Sequence, residues 1–160
     1  MVTLVPMTDT EYRAYVDEAI PAYAADKVAS GQWLPSEALE RSKRSLDELL
    51  PRGRDTPDNL LFTLVDEGRA AVGMLWIAAL ERAGQRIAYV YDISVRPEHR
   101  RKGHAASAFA ALEGKVRELG LSGIALHVFG HNAGAVALYT KLGYQATNIN
   151  MFKAVDPQAG

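Results

Sequence analysis

Apolar and polar positions change period several times along the chain, and each change marks an element. Val2, Leu4 and Val5 form a short opening strand that Pro6 stops. Thr8 followed by Glu11 has the form of a capping box, in which two orphan amides at a helix start find side-chain acceptors. Tyr12, Tyr15, Val16, Ala19, Ile20 and Tyr23 then recur at helical spacing, and Pro21 is expected to kink or split that helix. The pattern breaks at Ser30-Gly31. A second helix is predicted after Pro35, with Ser36 as its cap and Leu39, Leu46, Leu49 and Leu50 on its buried face. Pro51 to Pro57 carries a proline at each end and a glycine between them, and reads as a loop.

From Asn59 the period shortens to that of strands. Leu60–Val65 and Ala71–Leu80 are joined by Asp66-Glu67-Gly68, a good hairpin turn. Arg86–Val95 alternates Tyr89, Tyr91, Ile93 and Val95 on one face with Val90, Asp92 and Ser94 on the other, and Pro97 ends it. Ala105, Phe109, Leu112, Val116 and Leu119 restore helical spacing up to Gly120; Gly114 inside that helix costs about 1 kcal/mol relative to Ala, so a packing reason is expected. Ile124–Phe129 reads as a strand, Ala133–Leu142 as a short helix, Tyr144–Phe152 as a last strand, and the residues after Lys153 as a frayed tail. Two early helices, an antiparallel sheet and a strand–helix–strand unit make a mixed α/β (α+β) domain.

Composition narrows the chemistry. The 160 residues are one domain's worth of chain, and with 48% apolar and 23% charged residues they match a globular protein rather than a disordered one. No apolar run approaches the ~20 residues that cross a bilayer, and Met1 to Thr10 lacks the pattern of a signal peptide. Cysteine is absent, which excludes disulfides, thiolate metal sites and cysteine nucleophiles; the cytoplasm is the expected address. A net charge of −1 gives no global attraction to nucleic acid or to an anionic membrane, so any anion site is local.

One segment supplies such a site. Val95-Arg-Pro-Glu-His-Arg-Arg-Lys-Gly-His-Ala-Ala106 takes the chain from a strand through a basic loop directly into a helix. Helix N-termini present unpaired amides and a partial positive charge. Gly103 and Ala105 remove side-chain bulk there, and Arg96, Arg100, Arg101 and Lys102 add charge. The same residues also suit a solvated basic loop with a turn at Gly103. Neither a Walker loop nor a Gly-x-Gly-x-x-Gly fingerprint is present.

Arg100-x-x-Gly103-x-Ala105 resembles the Arg/Gln-x-x-Gly-x-Gly/Ala signature of the GNAT superfamily of N-acetyltransferases. His131-Asn132-Ala133-Gly134-Ala135-Val136-Ala137-Leu138-Tyr139, followed by Gly143-Tyr144, is similar to that family's second block, and Leu126–Phe129 fits the strand between the blocks. The resemblance covers about Leu60 to Lys153. It implies a mostly antiparallel sheet of about six to seven strands flanked by about four helices, with two central strands splayed into a notch. It further implies a single acetyltransferase domain over 1–160: a helical substrate-side segment 1–58, a coenzyme-A-binding core 59–153 and the tail 154–160.

Carried across residue by residue, the resemblance implies acetyl-CoA as cosubstrate and no metal. Its pantetheine would lie along the backbone at Ile93 and Val95, and its pyrophosphate at the amides from Arg101 to Ala106, among them Lys102, Gly103, His104 and Ala105, with Arg100 and its cationic neighbours near the phosphates. Asn132 matches the asparagine that steadies the pantetheine arm, beside Ala135, and is equally suited to cap a helix. Tyr139 takes the place of the general acid that protonates the leaving thiolate; apart from the motif it reads as a packed helix tyrosine. Many relatives place a basic glutamate where Tyr91 stands here. Asp92 is the only carboxylate within that strand, either orienting a water as base or held structurally by backbone amides. Neutralising a lysine-type ammonium at pH ~7.4 costs about 4 kcal/mol, an α-ammonium under about 1 kcal/mol, so a weak base suits the latter.

The acceptor side is expected to draw on Tyr15, Tyr23, Trp33, Trp76 and Tyr91, with Asp26, Glu37 and Glu81 as charged options, although aromatics at such spacing ordinarily pack in a core. His127 reads as a half-buried core residue, and His99 and His104 as parts of the basic loop. The expected partner is an amine-bearing small molecule or peptide, with neither membrane nor nucleic acid; a homodimer is compatible with the family, but no stretch specifies an interface. Two other readings are a coenzyme-A-binding module with weak catalysis and a nucleic-acid-binding domain built on Arg96–His104; confinement of charge to one loop counts against the latter.

Overall fold

The Thr8–Glu11 box does start a helix. In the computed structural model, which describes residues 1–158, the Glu11 amide donates to the Thr8 hydroxyl at 3.2 Å and the Thr8 amide to the Glu11 carboxylate at 2.9 Å. The helix, α1 (Asp9–Ala29), runs unbroken through Pro21. Pro21 is exposed, so water can serve the Asp17 carbonyl that the ring leaves without a helical donor. Beside it, the buried Ser42 hydroxyl donates to the Ile20 carbonyl at 2.7 Å and ties α1 to the next helix, α2 (Pro35–Leu49). The residue capping α2 is Leu34 rather than Ser36, with Pro35 in the first helical position. Its buried stripe is Ala38 and Ser42, continued by Leu46 and Leu50. Leu39 and Leu49 fall outside that stripe and are exposed, because the small side chains, not the leucines, make the close contact with α1.

Among the described residues five strands form one sheet in the order β1 (Thr3–Pro6), β2 (Asn59–Val65), β3 (Ala71–Arg82), β4 (Gln85–Val95) and β5 (Ile124–Leu126). The first four pair antiparallel and β5 pairs parallel to β4. Pro6 is tolerated inside β1 because that strand is an edge. Gly73 of β3 is required: a Cβ there would stand 2.1 Å from the Ser94 carbonyl oxygen of β4. Helices α3 (His104–Glu118) and α4 (Ala133–Lys141) complete the mixed α/β architecture.

Each sheet face has its own core. Phe62, Leu64, Val72, Leu75, Ile77, Ala88 and Val90 pack against Phe109, Leu112 and Val116 of α3. On the opposite face Leu61, Met74 and Trp76 pack against Tyr15 of α1 and Leu50 beyond α2. The sheet is therefore a middle layer between α1/α2 and α3.

The strand count is lower than expected. β5 stops at Leu126 instead of Phe129, leaving His127 exposed rather than half-buried, and Gln145–Phe152 runs exposed without strand pairing. A strand persists only where a neighbour takes its backbone groups, and the outer edge of β5 has none among the described residues. Gly114 has open space around it, so the expected packing reason for a glycine in α3 is not there. Of the tail 154–160, residues 154–158 are exposed and 159–160 lie outside the described residues. No helix among the described residues is long and apolar enough to cross a membrane.

Candidate active site

Two departures from regular sheet geometry build the site. β4 and β5 pair only over Ala88–Val90 against Ile124–Leu126, whereas β4 continues to Val95 against β3 alone. Beyond Val90 the sheet opens on the β5 side into a notch, where β4 has no strand partner. Within the same stretch Trp76 pairs with Asp92 and Ile77 with Val90, so Tyr91 is an extra residue, a β-bulge. The bulge overturns the strict alternation expected for Tyr89–Val95. Val90 and Ile93 both join the α3-side core, while Tyr91 and Asp92 both turn towards α1. A one-residue slip thus carries the strand's carboxylate to the same side as its tyrosines.

After Val95 the chain makes a tight turn at Pro97–His99 and enters the basic loop. Arg100 folds back, its Nε donating to the Val95 carbonyl at 2.9 Å, and so braces the loop rather than reaching outward. Arg101 and Gly103 both take left-handed backbone conformations, with φ of 63° and 79°. Such alternation turns successive amides to one side. Among the described residues, no backbone amide from Arg101 to Ala106 donates to a protein acceptor; the first α3 bond is Ser107 to the Gly103 carbonyl. Six consecutive free amides at a helix N-terminus, flanked by the exposed cations Arg101 and Lys102, form a cradle for a polyanion. Nothing lies within 4 Å of a Cβ built on Gly103, so the cradle is open to a ligand. Among the described residues no three His, Asp or Glu side chains gather as metal ligands.

On the α1 side of the notch the Tyr15 hydroxyl donates to Asp92 Oδ2 at 2.7 Å. Burial holds the Asp92 carboxyl above the usual aspartate range; the Tyr15 bond and the Ile93 amide oppose that rise, and the nearby Asp26 charge adds to it. Burial, then the Asp92 charge, pushes the Tyr15 hydroxyl well up. Tyr91 stacks on Trp76 at 4.6 Å, and Tyr89 meets Tyr91 edge-on at 4.8 Å. Trp76 lies behind them in the core, its indole donating to Asn59 Oδ1 at 2.9 Å.

Tyr139 approaches from the other layer. Its ring packs edge-on against Phe109 at 5.4 Å and Tyr144 at 5.9 Å. Its hydroxyl has no protein partner among the described residues, and burial followed by the Asp92 charge raises its pKa. The Asp92 carboxyl on β4 thus lies near enough for its charge to act on the Tyr139 hydroxyl. Asn132 caps α4, accepting from the Ala135 amide at 3.2 Å. Just before it, His131 Nε2 reaches Asp26 Oδ1 of α1 at 3.4 Å.

Sequence and structural comparisons agree on the relationship. Residues 26–144 match the acetyltransferase (GNAT) family. The chain belongs to that family. Over 152 residues it is 40% identical to the uncharacterized N-acetyltransferase YycN of Bacillus subtilis (strain 168), covering 95% of this chain and 97% of that relative. YdgE of the same organism, also an uncharacterized N-acetyltransferase, is 36% identical over 94% of this chain and 96% of its own. The crystal structure of YycN has a TM-score of 0.93 with 39% identity, covering 97% of this chain and 99% of that one. A GCN5-related N-acetyltransferase from Ralstonia eutropha JMP134 shares the fold, with a TM-score of 0.67 at 18% identity and coverage of 97% and 99%.

Within this GNAT fold the residues singled out from sequence divide by position. Ile93 and Val95 lie on the stretch of β4 that β5 does not pair, the loop from Arg100 to Ala106 leads from that stretch into α3, Asn132 and Ala135 stand at the start of α4, and the Asp92 charge acts on Tyr139. Tyr23 stands close enough to Tyr89 to raise its pKa, after burial and Tyr91. Trp33 sits farther along, edge-on to Tyr23 at 5.5 Å and already covered by the cations of Lys27 and Arg41. What sequence reasoning missed is the Tyr15–Asp92 bond and the Asp26–His131 contact. Each joins residues far apart in the chain, and only the bulge at Tyr91 and the α1 docking bring them together.

Proposed function

We propose that this acetyltransferase uses acetyl-CoA and acetylates an amine of a small molecule or peptide by direct attack in a ternary complex. The observation that carries the reading is the six-amide cradle at the mouth of a notch that also holds Asp92 and Tyr139. When bound, acetyl-CoA supplies the activated acetyl carbonyl and a thiolate leaving group. The amides from Arg101 to Ala106 bind the pyrophosphate, with Arg101 and Lys102 adding charge and Arg100 keeping the loop closed. The unpaired side of β4 at Ile93 and Val95 orients the pantetheine arm, and Asn132 and Ala135 at the start of α4 steady it. Asp92 takes the proton from the acceptor ammonium, directly or through a water, its acidity set by burial against the Tyr15 bond. Tyr139, kept protonated by its raised pKa, gives its proton to the departing sulfur. Tyr23 and Tyr91 shape the acceptor side, supported from behind by Trp33 and Trp76.

The test is amine-dependent release of free thiol from acetyl-CoA across a panel of α-amines, polyamines and peptides. The protein has no cysteine, so a thiol reagent reads product alone. Release that needs both an amine and Asp92 supports the reading. Tight acetyl-CoA binding without turnover on any amine points instead to a coenzyme-A-binding module, for which the satisfied hydrogen bonding of Asp92 is the supporting observation.

A further inference from the structure

The rings that follow β5 stand in a row. Tyr89 of β4 pairs with Ala125 of β5 in parallel register, and their neighbours Ala88, Val90, Ile124 and Leu126 all join the α3-side core. Tyr89 and Ala125 therefore face α1, and strand alternation from Ala125 puts His127, Phe129 and His131 on that side too. Their contacts follow that placement. His127 meets Phe129 edge-on at 5.0 Å, Phe129 stacks with His131 at 5.4 Å, and His131 Nε2 lies 3.4 Å from Asp26 Oδ1 of α1. A second row stands on β4, where Tyr89 meets Tyr91 at 4.8 Å and Tyr91 rests on Trp76. The pairing that joins the rows ends at Val90 and Leu126, and α1 reaches both of them: Tyr23 is near enough to act on Tyr89, and Asp26 on Asp92.

We propose that these two rows are the walls of the acceptor compartment, and that it takes a primary amine carried on a flat aromatic body. The proposal rests on the acetyl-transfer reading above and narrows its acceptor. A ring set against ring faces and edges gains about two- to tenfold in affinity per pair beyond the area it buries, and an aliphatic body of equal size does not. The charge at the buried end is a carboxylate, Asp92, which suits the ammonium of such an amine. Asp26, by contrast, is engaged by His131. A second cation on the acceptor would meet Lys27, whose ammonium stands 5.6 Å from the Tyr23 ring and 5.4 Å from the Trp33 ring, so a polyamine is disfavoured. The Asp26–His131 contact ties α1 to the end of the first row, and a long peptide would have to break it to pass there.

Steady-state rates with 2-phenylethylamine, 2-cyclohexylethylamine, spermidine and a tripeptide test this, together with calorimetric titration of the same amines into the protein with CoA present. The wild type is expected to give its highest kcat/KM and tightest binding with 2-phenylethylamine, about fivefold or more above 2-cyclohexylethylamine, which has similar bulk without the flat ring. Phe129→Leu keeps apolar volume and is expected to erase most of that preference. Phe129→Ala is expected to raise KM for 2-phenylethylamine about tenfold, with circular dichroism confirming that both variants are folded. Turnover without preference for the flat ring, or a preference that Phe129→Leu retains, overturns the compartment and leaves acetyl transfer standing. Selective binding that depends on Phe129, without turnover on any amine, supports the compartment and overturns acetyl transfer. Neither binding nor turnover with any of the amines overturns both.

Discussion

Replacing Tyr15 with Phe removes one oxygen from the contact that holds Asp92 and keeps the ring that packs against Trp76 and Met74. The lost bond is a 2.7 Å hydroxyl–carboxylate contact between α1 and β4, in a buried setting. Hydrogen bonds to a charged group contribute about 1.5–3 kcal/mol, which for a chain of this size is a fall of about 3–12 °C in Tm. Two consequences separate this bond from generic packing. Burial and the Asp26 charge continue to push the Asp92 carboxyl up while the opposing Tyr15 bond is gone, so Asp92 titrates at higher pH in the variant. The acid limb of kcat/KM therefore moves to higher pH. The stability difference between wild type and Tyr15→Phe also shrinks as pH falls, because a protonated Asp92 gains less from the donor. The assay is a pH profile of kcat/KM alongside thermal melts at matched pH. An unmoved acid limb together with an unchanged Tm would refute the assignment of Tyr15 as the residue that sets Asp92.

Tyr139→Phe is expected to leave acetyl-CoA affinity nearly intact and to lower kcat, with the alkaline limb of the profile altered because the raised hydroxyl pKa belongs to the lost group; rates across pH check this. Asp92→Asn is expected to lower kcat about 100-fold or more if the carboxylate takes the proton, and to lose only stability if it is structural; paired kinetics and melts distinguish these. The native Asp92 carboxyl, raised by burial above the ordinary aspartate range, keeps a proton that the unfolded chain releases, so wild-type stability falls as pH rises through that window. Asp92→Asn should flatten that slope in chemical denaturation. Gly73→Ala places a methyl 2.1 Å from the Ser94 carbonyl and forces β3 and β4 apart, with an expected loss of about 3 kcal/mol or more by denaturant titration.

The parts legible in the sequence are those governed by neighbours in the chain. Thr8 and Glu11 cap α1 because both bonds form within one turn, and the basic loop could be read because Gly103 and the following helix start lie on consecutive residues. The bulge at Tyr91 left no such trace. It depends on how β4 registers against β3, and it alone decides that Asp92 faces α1 rather than the opposite layer. Pro21 illustrates another limit: its cost depends on exposure and on Ser42, a residue of a different helix. Leu39 misled because apolar spacing does not say which of two stripes meets α1 when Ala38 and Ser42 allow the closer contact. Tyr144–Phe152 has the pattern of a strand but has no strand neighbour among the described residues, and pattern alone does not provide one.

Calorimetric titration with acetyl-CoA, CoA and ATP, for the wild type and for Gly103→Glu, tests the central claim most directly. The substitution sets bulk and a negative charge in the cradle of free amides between Arg101 and Ala106, at a backbone φ of 79° that disfavours any side chain. Circular dichroism confirms that the variant is folded. The account predicts binding of acetyl-CoA and CoA in preference to ATP by the wild type, and loss of that binding in the folded variant. Unchanged affinity in Gly103→Glu, or no binding of either coenzyme A species to folded wild-type protein, would contradict it.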